Sequence, residues 1–188
     1  MSEHEPTSAV HKPILITLGS NVEPETNLPR ALRLLRERVR VVGVSRVYES
    51  APVGADGNID PDQPVFLNAA AEIETDLEPL ALKYDVLRAI EKEMGRVRSE
   101  DKFAPRPIDL DIALYGDLLL QLDTEETRLN LPDPDTLERA HIALPLADLA
   151  PDLMHPTSGQ TLAAIAEAFD GYRTIRVRED FSLVNASD

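Results

Sequence analysis

The sequence predicts an α+β domain. Three observations carry that prediction: apolar residues alternating with polar ones at period two, two stretches with apolar residues at helical spacing, and the order in which these occur. "PILITLGS" is a short β-rich run closed by Gly19 and Ser20, as expected of a strand entering a turn. Leu28, Ala31, Leu32, Leu35 and Val39 repeat at helical spacing, which predicts an amphipathic helix from Thr26 to Arg40. "VRVVGVSRVYES" and "VFLNAAAEIET" are expected strands. The "APVGADGNIDPDQP" between them is dense in Gly, Pro, Asp and Asn and too long for a tight hairpin, so it reads as a functional loop.

A second helix is expected from Glu78 to Met94, with Leu80, Tyr84, Leu87, Ile90 and Met94 inward and Gly95 as its stop. A basic loop and the strand "IDLDIALYG" follow. The order β, α, β, β, α, β is that of a ferredoxin-like core, an antiparallel four-stranded sheet with two helices on one face. "LLLQLDTEETRLNLP" then predicts an extra hairpin, and "LERAHIALPLADLAP" short C-terminal helices. "YRTIRVREDFSLVNASD" predicts an edge strand near Ile175 and Val177 that frays beyond it. Residues 1–12 are expected to form a disordered tail, 13–170 one domain and 171–188 a C-terminal extension.

Composition narrows the function. A chain of 188 residues can bury a core and still carry a pocket. It has no cysteine, which excludes disulfides, thiolate metal sites and thiol catalysis. No apolar run approaches the ~20 residues of a membrane span, and the polar N-terminus lacks a signal-peptide core, so a cytoplasmic protein with no membrane partner is expected. The formal charge of -15 argues against a nucleic-acid partner. An anionic ligand must be met locally, and "GRVRSEDKFAPR" does gather Arg96, Arg98, Lys102 and Arg106 just ahead of two aspartates.

Those aspartates, Asp109 and Asp111, interrupt the apolar Ile108, Leu110, Ile112 and Leu114. On a strand the apolar residues share one face and the carboxylates the other, with Cα atoms about 7 Å apart. Two carboxylates so placed either line a solvated sheet face or hold a cation between them.

The chain also carries a string of local signatures: "LGSN", "YESAPVG", "FLNAA", "EKEMGRVR", "PRPIDLDI" and "LPDPDTLERAHIALPLADLAP". In this order and spacing, over residues 14 to 165, it resembles the 6-hydroxymethyl-7,8-dihydropterin pyrophosphokinases of folate biosynthesis. The resemblance implies transfer of pyrophosphate from ATP, the co-substrate, to the hydroxymethyl group of 6-hydroxymethyl-7,8-dihydropterin, releasing AMP. It implies two Mg²⁺ ions on Asp109 and Asp111, with Asp109 also catalytic. Hard cations of this kind take one or two carboxylates plus phosphate oxygens, and a pair of them can stabilise the attacking and leaving oxygens of an in-line displacement. Arg96 and Arg106 match the catalytic-loop arginines. Arg88, Glu91, Arg98, Phe103, Ile112, Asn130, Asp133 and Arg139 match ATP-binding positions. Ser50, Ala51, Val53, Phe66, Asn68 and His141 match the pterin slot. Phe66 and Asn68 point the same way from their strand, one able to stack and the other to exchange hydrogen bonds. "LGSN" reads mainly as a fold signature.

The chain departs from the family pattern in several places. Phe103 stands where Trp is common, Ser99 where a basic residue often follows, Asp133 where many members have His, and His141 where a second aromatic stacks. Asp133 either faces the triphosphate or caps the short helix that "DTLER" predicts. The oligomeric state is open, a monomer being favoured. Two other classes fit parts of the pattern: a non-catalytic ferredoxin-like binding module, and a two-metal phosphotransferase with a different acceptor.

Overall fold

In the computed structural model, which describes residues 13–52, 59, 64–97, 105–124, 127–172 and 174–183, the period-two runs pair into a six-stranded sheet. β1 (Ile14–Ser20) lies between β4 (Phe66–Glu74) and β5 (Asp109–Tyr115), antiparallel to both. The expected single strand after the first helix is two strands, β2 (Arg40–Val44) and β3 (Tyr48–Ser50), which pair with different halves of β4. At the break Ser45 stands in for a ladder residue: its backbone N–H donates to Ala70 O (2.9 Å) and its Oγ accepts from Ala70 N (2.8 Å). The resulting order, β5-β1-β4 and then β2 and β3, is the ferredoxin-like core predicted from the element order.

The first helix, α1, spans Pro24–Arg36, earlier at both ends than predicted, with Pro at its first turn. Val39 is buried all the same, just past the helix end. The second helical run comprises α2 (Pro79–Ala81), a π-helical turn (Leu82–Leu87) and α3 (Arg88–Glu93). The expected inward set is corrected here. Leu80 and Tyr84 are exposed, whereas Leu82, Val86, Leu87, Ile90 and Met94 are buried. The sequence holds two overlapping apolar stripes, and docking on the sheet selects the second. Gly95 stops the run with φ +81°, the left-handed conformation a helix end favours.

Both faces of the sheet are packed. Ile16, Leu18, Leu67, Ala69, Leu110 and Ile112 meet Leu28, Leu32, Leu35, Leu87 and Ile90 on one face. Leu15, Ala70, Ala113 and Leu114 on the other meet Ile142, Leu146, Leu162 and Ile165, from α5 (Ala140–Leu149) and α6 (Leu162–Glu167). Leu114 therefore does not share a face with Ile108, Leu110 and Ile112 as period two predicts. The pairing steps from Leu15–Leu114 to Ile16–Ile112, so Ala113 is a β-bulge and reverses the alternation after it. β6 (Leu120–Asp123) and β7 (Arg128–Leu131) form the separate hairpin, followed by α4 (Asp135–Glu138). β8 (Ile175–Val177) adds an edge strand to β3. No helix among the described residues is long and apolar enough to cross a membrane.

Helices α5 and α6 cover only one end of their face. At the other end Thr17, Gly19, Phe66, Asn68, Asp109 and Asp111 line an open cleft on β1, β4 and β5.

Candidate active site

The bottom of this cleft is a corner where the sheet meets the loop preceding β5, and the "LGSN" turn holds that loop. Ser20 Oγ donates to Pro107 O (2.7 Å), Asn21 Oδ1 accepts from Arg106 N (2.7 Å), and Asn21 N donates to Arg106 O (3.2 Å). Ser20 and Asn21 are themselves buried. The motif thus does more than mark the fold: it fixes where Arg106 leaves the backbone.

Arg106 Nη1 donates to Asp109 Oδ2 (2.5 Å), while Arg96 Nη1 donates both to Asp109 Oδ1 and to Glu91 Oε1. Glu91 is buried at 2% exposure and also accepts from Leu110 N (3.0 Å), tying α3 to β5 behind the cleft. Burial pushes the Glu91 carboxyl up to about 7, against that hydrogen bond and the Arg96 charge. Burial acts on Asp109 too, but the Arg96 and Arg106 guanidiniums outweigh it and hold that carboxyl below its ordinary value.

Asp111 has the opposite surroundings. Burial, then the charges of Asp109 and Asp133, push its carboxyl up to about 7, against the Lys83 Nζ charge 3.9 Å away. Asp133 is raised as well, by burial and then the Asp135 charge, against a hydrogen bond that its Oδ1 accepts from Asp135 N (3.0 Å). Asp133 therefore lines the cleft and is not the cap of α4, whose N-cap is Pro134; its side chain makes a local turn with Asp135 just before that helix.

Asp111, Asp133 and Asp135 are shared by two clefts, each about 230 Å³. The first continues past Phe66, Asn68 and His141; the second runs along Lys83, Ile112, Arg128 and Asn130. The fold thus brings Phe66, Asn68 and His141 to one side of the aspartates and Ile112 and Asn130 to the other. Ser50 lies just behind the first cleft, its Oγ accepting from Asn68 Nδ2 (2.9 Å), and Ala51 follows it at the end of β3. Burial and the neighbouring Arg139 lower the His141 pKa, leaving a neutral flat ring at neutral pH.

Several expected residues stand apart from the cleft walls. Arg88 stacks its guanidinium 5.8 Å from the Tyr84 ring centre, and Arg139 points Nε towards Asp135 at 3.9 Å. Val53, Arg98 and Phe103 lie outside the described residues. Sequence reasoning missed Lys83 and the loop-holding role of Ser20 and Asn21. For the latter the signal was present in "LGSN"; for Lys83, an ordinary polar position on a helix, only tertiary docking reveals it.

Among the described residues no three acidic or imidazole groups converge as a ready-made metal cage. The donor set nonetheless fits a hard divalent cation bound together with a phosphate: two carboxylates on one strand face, a third nearby, and a local excess of negative charge that raises Asp111.

Residues 15–151 match the family model described as 7,8-dihydro-6-hydroxymethylpterin-pyrophosphokinase. The 2-amino-4-hydroxy-6-hydroxymethyldihydropteridine pyrophosphokinase of Pseudomonas aeruginosa is 43% identical over 146 residues, 76% of this chain and 83% of that one. The Haemophilus influenzae protein of the same name is 37% identical over 165 residues, 86% and 96% of the two chains. Among solved structures, a triple mutant of Plasmodium falciparum HPPK-DHPS superposes with a TM-score of 0.67 at 15% identity, over 88% of this chain and 45% of that longer one. At that identity the likeness speaks for the fold.

Proposed function

Since the chain belongs to the 7,8-dihydro-6-hydroxymethylpterin-pyrophosphokinase family, we propose that its two clefts hold the two substrates of that reaction, with Asp109 and Asp111 between them. It is a diphosphotransferase of folate biosynthesis, with ATP as co-substrate. The observation that carries the arrangement is that Asp111 and Asp133 line both clefts, so a group transferred from one to the other passes the carboxylates. The pterin lies in the cleft of Phe66, Asn68 and His141, with Ser50 and Ala51 at its edge. ATP lies along Ile112 and Asn130, with Lys83 and Arg128 facing its phosphates.

In the reaction the pterin hydroxymethyl oxygen forms a bond to the β-phosphorus of ATP. The bond from that phosphorus to the oxygen shared with the α-phosphate breaks, and AMP leaves with the electron pair. The hydroxyl proton is lost to Asp109 or to water. Two Mg²⁺ ions held by Asp109 and Asp111 would supply charge neutralisation along the triphosphate and on the entering and leaving oxygens. The chain's own residues do the rest. Arg96 and Arg106 each meet one Asp109 oxygen through Nη1 in the structure; when phosphates enter, these guanidiniums exchange the carboxylate for phosphate oxygens, which a planar guanidinium also recognises. Phe66 and neutral His141 hold the pterin ring flat, and Asn68 fixes its hydrogen-bonding edge. The reading includes a cytoplasmic monomer, in keeping with a cysteine-free acidic chain.

The test is a crystal grown with Mn²⁺, a non-hydrolysable ATP analogue and the pterin, together with turnover on a panel of hydroxymethyl acceptors. Two anomalous peaks between Asp109, Asp111 and the triphosphate are expected, with turnover confined to reduced pterins. A bound nucleotide with no metal on Asp111, or equal turnover of unrelated alcohols, would overturn the arrangement.

A further inference from the structure

β8 lies outside residues 15–151, the part of the chain that matches the family model, yet it is bonded to the strand that ends at the pterin cleft. Tyr48 pairs with Val177 and Ser50 with Ile175 across β3 and β8. The attachment extends past β3 in both directions: Arg178 N donates to Val47 O (2.8 Å) and Ala51 N donates to Thr174 O (2.8 Å). Side chains reinforce it. The two carboxylate oxygens of Glu49 are held separately, Oε1 by Arg176 Nη2 at 2.7 Å and Oε2 by Arg178 Nη1 at 3.2 Å. Arg178 reaches on to Glu25 of α1 (2.7 Å) and to Asp180 (2.8 Å), and Leu183 is buried in the main core with Phe181 packed against it.

This attachment matters because β3 has few ladder bonds of its own: its start is anchored by the buried Tyr48, whose hydroxyl donates to Asp148 of α5 (3.0 Å), but that anchor lies two residues before Ser50. The strand is three residues long, it is cut off from β2 by the break at Ser45, and its other edge makes only three residue pairs with β4. A strand so short is weakly ordered on its own. Its last residue, Ser50, nevertheless orients a residue of the pterin cleft, because Ser50 Oγ accepts from Asn68 Nδ2 at 2.9 Å. With that amide nitrogen occupied, Asn68 turns Oδ1 towards Gly19, on the cleft wall, where an added Cβ would meet it at 3.5 Å.

We propose that β8 is a positioning element for the pterin site: Arg176 and Arg178 grip Glu49 from the edge of the sheet and so set Ser50, and through Ser50 the hydrogen-bonding edge that Asn68 offers the pterin. The inference rests on the assignment of that cleft to the pterin. It separates the two substrates, since β8 approaches β3 and the second cleft is lined by other elements.

Steady-state kinetics with 6-hydroxymethyl-7,8-dihydropterin and ATP test it on the full chain, with melting temperatures measured alongside. Arg178→Gln is expected to raise the pterin KM about fivefold or more while the ATP KM and kcat stay within about twofold, with Arg178→Lys recovering most of the loss. Arg176→Gln removes a largely exposed guanidinium, which the fold tolerates, and is expected to raise the pterin KM about threefold. An unchanged pterin KM in Arg176→Gln and Arg178→Gln overturns the proposal, as does a parallel rise of both KM values that follows the loss of melting temperature. A wild-type chain that does not turn over the pterin overturns the functional reading itself, and this inference with it.

Discussion

Asp109 and Asp111 stand two residues apart on one strand and are held in opposite electrostatic states. Asp109 is neutralised by Arg96 and Arg106, whereas burial and the charges of Asp109 and Asp133 outweigh the Lys83 ammonium 3.9 Å from Asp111. Substitution by the isosteric amide separates these roles. Asp109→Asn and Asp111→Asn are each expected to cost at least about 3 kcal/mol of transition-state stabilisation, the size of a preorganised charge-stabilising term. Their effects on metal-free stability should differ in sign. Asp109→Asn removes a shared charge partner of Arg96 and Arg106 and lowers the melting temperature; Asp111→Asn relieves repulsion and raises it at neutral pH. Scanning calorimetry with EDTA beside a turnover assay checks both, and near wild-type turnover in either variant would contradict the metal assignment. Arg106 donates to Asp109; under the proposed mechanism it turns to phosphate, so Arg106→Ala should lower kcat by about a hundredfold or more while changing pterin affinity less than about threefold. Equal losses in fluorescence-measured pterin binding and in kcat would count against that role.

At the scale of elements, the sheet shows what periodicity can and cannot reveal. The "IDLDI" alternation placed Asp109 and Asp111 on one face because a strand has period two, and the structure puts both on the cleft. Leu114, two residues further on, was misread because the bulge at Ala113 depends on how β1 pairs with β5, which the strand's own residues do not encode. The split between β2 and β3 was illegible for a similar reason: "VRVVGVSRVYES" is strand-like throughout, and the break appears only when Ser45 bonds to Ala70. Lys83 was missed because its place beside Asp111 follows from helix docking. That Phe66 and Asn68 share a face, now seen to line the cleft, was legible from alternation along β4. Ser45 yields a prediction at this scale. It is buried, and its Oγ accepts from Ala70 N, so Ser45→Ala strands that N–H and should lower stability by about 1–3 kcal/mol. Urea unfolding checks this, with the ATP KM expected to remain unchanged; a loss below about 0.5 kcal/mol would mean another acceptor replaces the hydroxyl.

The whole molecule carries a formal charge of -15 and concentrates part of it in Asp109, Asp111, Asp133 and Asp135 beside the cleft proposed to receive a polyanion. The metal-free protein should record that tension as a pH dependence. Asp111 and Glu91 have folded-state values of about 7 against ordinary values of 3.8 and 4.5. Between those limits the folded chain binds more protons than the unfolded one, so these groups make stability fall as pH rises from about 4 to 7. Asp109, held below 3.8, contributes in the opposite sense, and its stability is lost only in stronger acid. The melting temperature of wild type minus that of Asp111→Asn, measured in EDTA, should therefore decline from pH ~4 to pH ~7, and Mg²⁺ with an ATP analogue at pH ~8 should reverse the decline. A flat difference would mean that Asp111 titrates normally. In the proposed reaction these residues move a diphosphate as one unit between the two clefts. ³¹P NMR of the chain incubated with ATP, Mg²⁺ and 6-hydroxymethyl-7,8-dihydropterin tests it most directly. AMP and a pterin diphosphate with its two phosphorus atoms still coupled are expected in equal amounts; ADP with a pterin monophosphate, or ATP left intact, would contradict it.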